Sequence, residues 1–301
     1  MANVTAAAGP AGPAMLFCPA DRPDRYAKAL KAADTVLIDL EDAVSLEHKD
    51  RARSLVRAAL EWLPVNRVVV RINSPRTDLG RADLDMLTHS PARFVMVPKV
   101  ESAEEIQMAA PLSVVALCET AAGVQQAPVL ARSEGCVAMM WGGEDLTADI
   151  GGRRSRADDC TYLPHVQYAR TRILLAAAAA HVAAWDGVYL NIPDLAGLDM
   201  ESRVAVDMGF DAKAIIHPTH ADIVRRAYYP SEDRLQWAEQ LLHAVGAADS
   251  GVITFEGRMV DGPLIRMAQT ILEATGSPRL SSQCGDPPDL GHSPTERNVG
   301  S

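Results

Sequence analysis

The 301-residue sequence has few aromatic side chains (5%), five cysteines and no excess of positive charge. No two cysteines have CxxC spacing, so we expect reduced thiols rather than a disulfide framework or a zinc site. Lys and Arg total 29 against 39 Asp and Glu, which argues against a nucleic-acid surface and against attraction to anionic membranes. Anionic ligands must therefore be met by a local group of positive side chains.

An export signal and long apolar runs are also missing. The first 15 residues contain neither a basic segment nor an apolar core, and no stretch of about 18 apolar residues occurs. We therefore expect a cytoplasmic protein that does not enter a membrane. Hydrophobic residues still make up 48% of the chain, which is enough for one large domain with a packed core.

What the sequence does contain is an alternation of short apolar runs and helix-like stretches. We predict eight strands, at 15–18, 35–38, 67–70, 94–97, 114–118, 137–141, 188–192 and 214–216. The helical stretches between most of them predict parallel strands joined by crossover helices. Eight such units favour a closed (β/α)8 TIM barrel, and the GxGxxG and GxxxxGK[ST] loops of open nucleotide-binding sheets are absent.

The two ends of the chain differ in composition from its middle. Residues 1–13, rich in Ala, Gly and Pro, are predicted to form a flexible leader, and residues 276–301 a disordered tail. The barrel is expected over residues 14–220. More helices follow than the one that completes a barrel, so residues 221–275 are predicted to form a C-terminal helical extension or cap.

Polar residues end most of the predicted strands, and in a barrel these ends meet at the active-site rim. Glu119 and Asp145 end two successive runs and should lie side by side. Two carboxylates about 4 Å apart repel by roughly 4 kcal/mol at an effective dielectric near 20, and a bound cation removes that repulsion. An oxygen-only site suits Mg²⁺, with Mn²⁺ as a substitute. Alternatively, one carboxylate is protonated and acts as a general acid.

Arg71 is the only arginine at a predicted strand end. Its guanidinium could bind a carboxylate or carbonyl oxygen beside the metal, or form a structural ion pair with Asp39 or Glu41. Gly143, in the segment WGGED, allows the backbone to approach a ligand closely, although a plain turn explains it equally well.

Positive side chains cluster near the first predicted strand. They comprise Arg22, Arg25, Lys28 and Lys31, with Lys99 on the rim. These side chains could bind phosphate groups, or they could form a solvated helix face.

Several longer segments are distinctive as a set. They are LFCPADRPDRYAKAL, VLIDLEDAV, VVVRIN, MVPKVES, ALCETAAGV, WGGEDLTADIG, AIIHPTH and FEGRMVDGPL. With them the chain resembles the citrate lyase beta subunit and malyl-CoA lyase group of the HpcH/HpaI aldolase superfamily from about residue 15 to residue 274. One departure is PAMLF, where many members carry an arginine before the first strand. The resemblance implies a TIM barrel with a C-terminal extension, Mg²⁺, acyl-CoA chemistry and a homotrimer or larger oligomer such as a hexamer.

The resemblance also implies roles for residues of the rim. Glu119 and Asp145 would be the metal ligands, and Arg71 would hold the keto-acid portion of the substrate and face the enolate oxygen. Asp39 and Glu41 would support Arg71 and the metal-bound waters.

Further from the rim, the resemblance implies that Arg25 and Lys28 contact the phosphates of coenzyme A. Asp261, in FEGRMVDGPL, would exchange a proton with the acyl-CoA carbon in the active site of a neighbouring subunit. From the residues alone, Asp261 is expected to be the N-cap of a helix, because it stands two residues before Pro263.

The reaction that the resemblance implies is a reversible Claisen-type cleavage. A 3-hydroxyacyl-CoA such as malyl-CoA or citramalyl-CoA would give an acyl-CoA and a 2-keto acid. One alternative is a pyruvate-type aldolase acting on free hydroxy-keto acids, whose members usually carry histidine where this chain has Glu41-Asp42-Ala43. The other is a citrate-lyase-like subunit that depends on an acyl-carrier protein.

Overall fold

A computed structural model describes residues 9–10, 12–247 and 253–274 of the chain. The predicted tail at 276–301 lies outside the described residues, as does most of the predicted leader. The chain divides into two compact units on either side of the bond between Tyr228 and Tyr229. Each unit has a hydrophobic core of its own.

The first unit contains a closed barrel of eight parallel strands in sequence order, with the eighth strand paired to the first. This confirms the predicted TIM barrel. The strands are β1 (Ala14–Pro19), β2 (Thr35–Asp39), β3 (Val68–Arg71), β4 (Phe94–Val97), β5 (Ser113–Cys118), β6 (Cys136–Trp141), β7 (Ala183–Asp186) and β8 (Ala212–Ile215).

Helices follow the strands and pack around the barrel. They are α1 (Tyr26–Ala32), α2 (Lys49–Leu60), α3 (Asp78–Thr88), α4 (Ala103–Gln107), α5 (Ala121–Ala131), α6 (Gly143–Asp149), α7 (Pro164–Ala180), α8 (Leu195–Met208) and α9 (Ala221–Tyr228). No helix among the described residues is both long and apolar enough to cross a bilayer.

The strands are buried on both faces, which is why they appear in the sequence as continuous apolar runs. In β2, Leu37 packs inside the barrel, whereas Val36 and Ile38 pack outward against the helices. The same alternation in β5 places Val115 and Leu117 in the interior. The filled interior leaves the carboxyl ends of the strands as the place where polar side chains can gather.

The seventh predicted strand is wrong. It was expected at residues 188–192, but the strand is Ala183–Asp186, and α7 ends only three residues before it. At the end of α7, His181 adopts a left-handed conformation with φ 58°, which stops the helix. The segment AAWD contains no β-branched residue and follows an alanine-rich helix, so neither periodicity nor composition marks it as a strand.

The second unit consists of two helices and a hairpin. Its elements are α10 (Glu232–Gly246), β9 (Ile253–Phe255), β10 (Arg258–Val260) and α11 (Gly262–Glu273). The hairpin turn is formed by Glu256 and Gly257, both with positive φ (47° and 76°), as the tight turns that match strand twist require. Asp261 is the N-cap of α11, because its side chain accepts a hydrogen bond from the backbone N–H of Leu264 at 3.2 Å.

Candidate active site

Two neighbouring strands bring an arginine and an aspartate together at the carboxyl end of the barrel. The parallel register pairs Asp39 at the end of β2 with Arg71 at the end of β3. The two side chains form a bidentate ion pair, with Nε to Oδ1 at 2.7 Å and Nη2 to Oδ2 at 2.6 Å. Asp39 also accepts the backbone N–H of Glu41 at 2.8 Å. The guanidinium is therefore held in one orientation, as bidentate pairing allows.

Glu41 lies between Arg71 and Lys99, which stands two residues after the end of β4. Its Oε2 is 3.0 Å from Arg71 Nη1, and its Oε1 accepts a hydrogen bond from Lys99 Nζ at 2.6 Å. Among the described residues, Oε2 makes no aligned hydrogen bond although it is buried. Burial raises the pKa of Glu41, against the opposing effect of the two cations. An additional cationic or donor group at this carboxylate would lower its energy.

Glu119 and Asp145 meet around the Lys99 ammonium. Glu119 directly follows β5, and Asp145 lies in the first turn of α6, which follows β6. Lys99 Nζ is 3.4 Å from Asp145 Oδ1 and 3.8 Å from Glu119 Oε1. Lys99 itself has φ 48°, an uncommon conformation for a residue other than glycine. Glu119 and Asp145, which were predicted to lie side by side, therefore both lie close to the Lys99 ammonium.

The charge at Glu119 is poorly compensated. Burial, followed by the carboxylates of Asp145 and Glu41, raises the pKa of Glu119 to about 8, although Lys99 and Arg71 oppose the shift. Without a further cation, Glu119 therefore holds a proton readily near neutral pH. A divalent cation at the same place would favour the charged carboxylate.

The donor set agrees with a metal held by few protein ligands. Among the described residues, no group of three or more His, Cys, Asp or Glu side chains has the geometry to hold a metal ion. Two carboxylates completed by waters and substrate oxygens are typical of Mg²⁺ sites. Gly142 leaves space there, because a Cβ at this position would lie 2.5 Å from Glu119 Oε2.

A cavity of about 200 Å³ opens beside these residues. Its wall is partly apolar, with polar groups at a few points, as small-molecule sites commonly are. The lining residues are Phe17, Arg71, Leu117, Glu119, Met140, Trp141, Gly142, Gly143, Glu144, Asp145, Arg156, Tyr162, Gly187, Val188 and Leu190.

Gly143 lies in this wall at the start of α6. A Cβ at Gly143 would come within 3.1 Å of Val166 Cγ1 and 3.2 Å of the Trp141 ring. The tight packing gives Gly143 a structural reason to be glycine, besides its position on the cavity.

Other expected site residues lie elsewhere. Arg25 and Lys28 are exposed on the short 3-10 turn and helix that follow β1, with no ion pair to a described residue. Asp261 belongs to the second unit, where it is exposed and caps α11. The ammonium of Lys99 contacts the carboxylate cluster rather than extending freely from the rim.

Three polar residues of the cavity were not predicted: Glu144, which precedes Asp145, and two residues of a loop. Arg156 and Tyr162 belong to the loop between α6 and α7, where they form an isolated antiparallel bridge. The available signal was the run GGRRSR, which places three arginines within four residues of a non-helical segment.

The chain matches known proteins over most of its length. Residues 13–218 match the family model for HpcH/HpaI aldolase/citrate lyase. A citrate lyase subunit beta-like protein from Mycobacterium tuberculosis is 45% identical over 266 residues, which cover 88% of this chain and 96% of that protein. Human mitochondrial citramalyl-CoA lyase is 33% identical over 273 residues, covering 80% and 79% of the two chains.

A solved structure is similar over the same region. It is the crystal structure of protein CitE from Mycobacterium tuberculosis in complex with magnesium, acetoacetate and coenzyme A. The TM-score is 0.85 at 44% sequence identity, and the match covers 89% of this chain and 99% of that one.

Proposed function

This chain belongs to the HpcH/HpaI aldolase/citrate lyase family, and we propose that it is a magnesium-dependent carbon-carbon lyase acting on a coenzyme A thioester. Its substrate would be a 3-hydroxyacyl-CoA such as malyl-CoA or citramalyl-CoA, which it would cleave to an acyl-CoA and a 2-keto acid, or form from them. The observation that supports this most is the meeting of Glu119, Asp145 and Arg71 on one cavity.

Glu119 and Asp145 are the proposed metal ligands. Their shared contact with the Lys99 ammonium marks a position where positive charge is stabilised, and the raised pKa of Glu119, caused by burial and then by its carboxylate neighbours, favours a further cation there. When bound, Mg²⁺ would act as a Lewis acid that polarises the keto-acid carbonyl.

Arg71 is the proposed electrostatic catalyst. In the cleavage direction, the bond between the hydroxyl-bearing carbon and the thioester α-carbon breaks, and the hydroxyl releases its proton to solvent water as it becomes the keto-acid carbonyl. The bonding electron pair moves onto the thioester as an enolate. Arg71 would stabilise that oxyanion at little reorganisation cost, because Asp39 and Glu41 already orient its guanidinium.

The other residues have proposed roles in binding and proton transfer. Arg25 and Lys28 would contact the coenzyme A phosphates, for which their exposed positive charges are suited. Lys99 would bind the substrate closer to the reacting carbons, because its ammonium contacts Glu41, Glu119 and Asp145.

Asp261 is the proposed acid-base group, acting from a neighbouring subunit of a homo-oligomer. It would protonate the enolate carbon in cleavage, or remove the proton in condensation. Its exposed carboxylate leaves it accessible for such a role, while its backbone position as the N-cap of α11 orients it.

Product identification tests this proposal. The purified chain with Mg²⁺ should convert at least one member of a panel of 3-hydroxyacyl-CoA esters into an acyl-CoA and a 2-keto acid, both identified by mass spectrometry. Conversion only of free hydroxy-keto acids would instead indicate an aldolase. Activity only with thioesters of an acyl-carrier protein would indicate a carrier-dependent subunit.

A further inference from the structure

Arg156 lies in the wall between the active-site cavity and a second cavity. The second cavity has a volume of about 310 Å³. It shares Glu144, Arg156 and Leu190 with the first cavity. Its remaining lining residues are Arg153, Arg154, Ser155, Cys160, Tyr189 and Asn191. Arginines thus predominate among the charged groups on this side of the active site.

The Arg156 side chain is fixed by contacts on several sides. Nη1 donates to the backbone oxygen of Cys160 at 2.9 Å, and Nη2 pairs with Glu201 Oε2 at 2.7 Å. The guanidinium carbon lies 3.7 Å from the centre of the Tyr162 ring, and Tyr162 in turn donates to Glu201 at 2.9 Å. A guanidinium held in this way loses little further freedom when it binds an anion.

Glu201 connects Arg156 to a buried ion network. Lys213 Nζ donates to Glu201 Oε1 at 2.9 Å and to Asp186 Oδ2 at 2.8 Å. Asp186 also pairs with Arg170 at 2.8 Å. The network therefore joins three cationic side chains to two carboxylates, which leaves one positive charge uncompensated within it. Arg156 is the member that lines the cavities.

Arg156 retains donors for a ligand. Its hydrogen bonds to described residues use Nη1 and Nη2, and none engages Nε. The side chain is 20% exposed. Glu144, the carboxylate that lines both cavities, accepts a hydrogen bond from Ser155 rather than from Arg156.

We propose that Arg156 forms a second anion-binding subsite, which takes a carboxylate that the substrate carries in addition to the group held beside Arg71. The inference rests on the proposed lyase function. The carboxylate could belong to the keto-acid half of the substrate or to its acyl half, because both halves must fit the same cavity.

Two matched pairs of probes separate these sources. Oxaloacetate and 2-oxobutyrate differ by a carboxylate in place of a methyl group on the keto acid, and succinyl-CoA and butyryl-CoA differ in the same way on the acyl chain. Dissociation constants are measured by calorimetry with Mg²⁺ present, for wild type, Arg156→Gln, Arg156→Lys and the control Arg81→Gln. Arg81 is an exposed arginine of α3, paired with Asp78 outside both cavities.

In wild type, the carboxylate-bearing member of one pair should bind at least about tenfold more tightly than its methyl counterpart, as a charge-assisted hydrogen bond predicts. Arg156→Gln should abolish that preference while changing the affinity of the methyl counterpart by less than about threefold. Arg156→Lys should keep part of the preference, and Arg81→Gln all of it. The pair that shows the preference identifies the half of the substrate that carries the carboxylate.

The inference is overturned if wild type shows no preference in either pair, or if the preference survives in Arg156→Gln. Equal weakening of both members of a pair also overturns it, because that result indicates a structural role. If Arg156→Gln does not fold, Arg156→Lys decides, and an unchanged preference in that variant contradicts the subsite. Turnover of the panel of 3-hydroxyacyl-CoA esters, including members that carry a second carboxylate, is measured in parallel. Turnover without a preference refutes the subsite alone, and a preference without turnover refutes the lyase proposal alone.

Discussion

Arg71 is oriented by two carboxylates before any substrate arrives. Asp39 engages it through two hydrogen bonds, and Glu41 lies 3.0 Å away on the other side. Its guanidinium lies 5.0 Å from the centre of the Phe17 ring. A donor that is fixed in this way contributes more to a transition state than to a loosely bound ground state.

Replacing Arg71 with alanine should therefore lower kcat by about 10²- to 10³-fold, which corresponds to roughly 3 to 4 kcal/mol of barrier. The secondary structure should be retained, which circular dichroism would check. Arg76→Ala is the matched control, because this arginine pairs with Glu101 and does not line the cavity. Turnover within threefold of wild type in a folded Arg71→Ala protein would contradict the assignment.

Substitution of Arg25 and Lys28 tests whether their side chains bind coenzyme A away from the reacting carbons. Their replacement by alanine should raise KM for CoA esters with little change in kcat, because such contacts stabilise ground and transition states alike. Arg57→Ala, at an exposed position in the last turn of α2 and outside this cluster, is the control and should leave KM unchanged. An unaltered KM in the Arg25→Ala, Lys28→Ala double variant would assign both side chains to a solvated helix face.

At the scale of elements, β7 and β8 are joined to α7 and α8 by buried charges. Asp186 is fully buried, and its partners are Arg170, Lys213 and the indole N–H of Trp141. Burial alone would raise the pKa of Asp186, but Lys213 and Arg170 outweigh it and lower the pKa below its usual value. The charged carboxylate thus stabilises the folded state.

Asp186→Asn should reduce the free energy of unfolding by about 3 to 5 kcal/mol at pH 7, because it removes the carboxylate that pairs with buried Arg170 and one of the two that pair with buried Lys213. Urea denaturation would measure this loss. Asp222→Asn, which alters an exposed ion pair, should change it by less than about 0.5 kcal/mol. A loss below 1 kcal/mol in Asp186→Asn would mean that the network is not stabilised by this charge.

The same substitution has a pH signature. The lowered pKa of Asp186 means that its contribution is present above the unfolded pKa, about 3.9, and is lost as the pH falls through the folded value. The difference in stability between wild type and Asp186→Asn should therefore shrink in acid. A difference that stays constant below pH 4 would contradict the shift.

Much of the barrel and of the rim is predictable from the sequence because both depend on local patterns. Strands buried on both faces form apolar runs, and the residue that follows each run lies at the same edge of the sheet. The strand ends thus predict a shared site for Asp39, Arg71, Glu119 and Asp145, and the structure brings these residues together. Arg156 follows no strand, and the fold of a long loop and the pairing with Glu201 direct its side chain to the cavity.

At the scale of the whole molecule, the second unit carries the proposed acid-base group. Asp261→Asn is an informative change, because asparagine caps helices about as well as aspartate but cannot exchange a proton. The variant should keep its stability and lose about 10²-fold or more in rate. A loss of stability with an unchanged rate would assign Asp261 to capping alone.

Mixed oligomers test whether Asp261 acts between subunits. Inactive Asp261→Asn chains and inactive Arg71→Ala chains, combined in equal amounts, should recover up to about a quarter of wild-type activity, since random assembly gives that fraction of sites both intact residues. Mixtures of Arg71→Ala with Arg71→Ala, Asp261→Asn chains are the control and should stay inactive. Verified hybrids without recovery would place Asp261 in its own subunit's site or outside catalysis.

The central claim is that Glu119 and Asp145 hold the Mg²⁺ of a carbon-carbon lyase. The most direct measurement follows cleavage of an isotopically labelled 3-hydroxyacyl-CoA by the chelated protein, before and after Mg²⁺ is restored, with both products quantified by mass spectrometry. We expect no cleavage after chelation, equal amounts of acyl-CoA and 2-keto acid with Mg²⁺, a poor rate with Ca²⁺ because of its longer, more flexible coordination, and no rescue of a Glu119→Gln, Asp145→Asn variant. Full activity of that variant after exhaustive chelation would contradict the account.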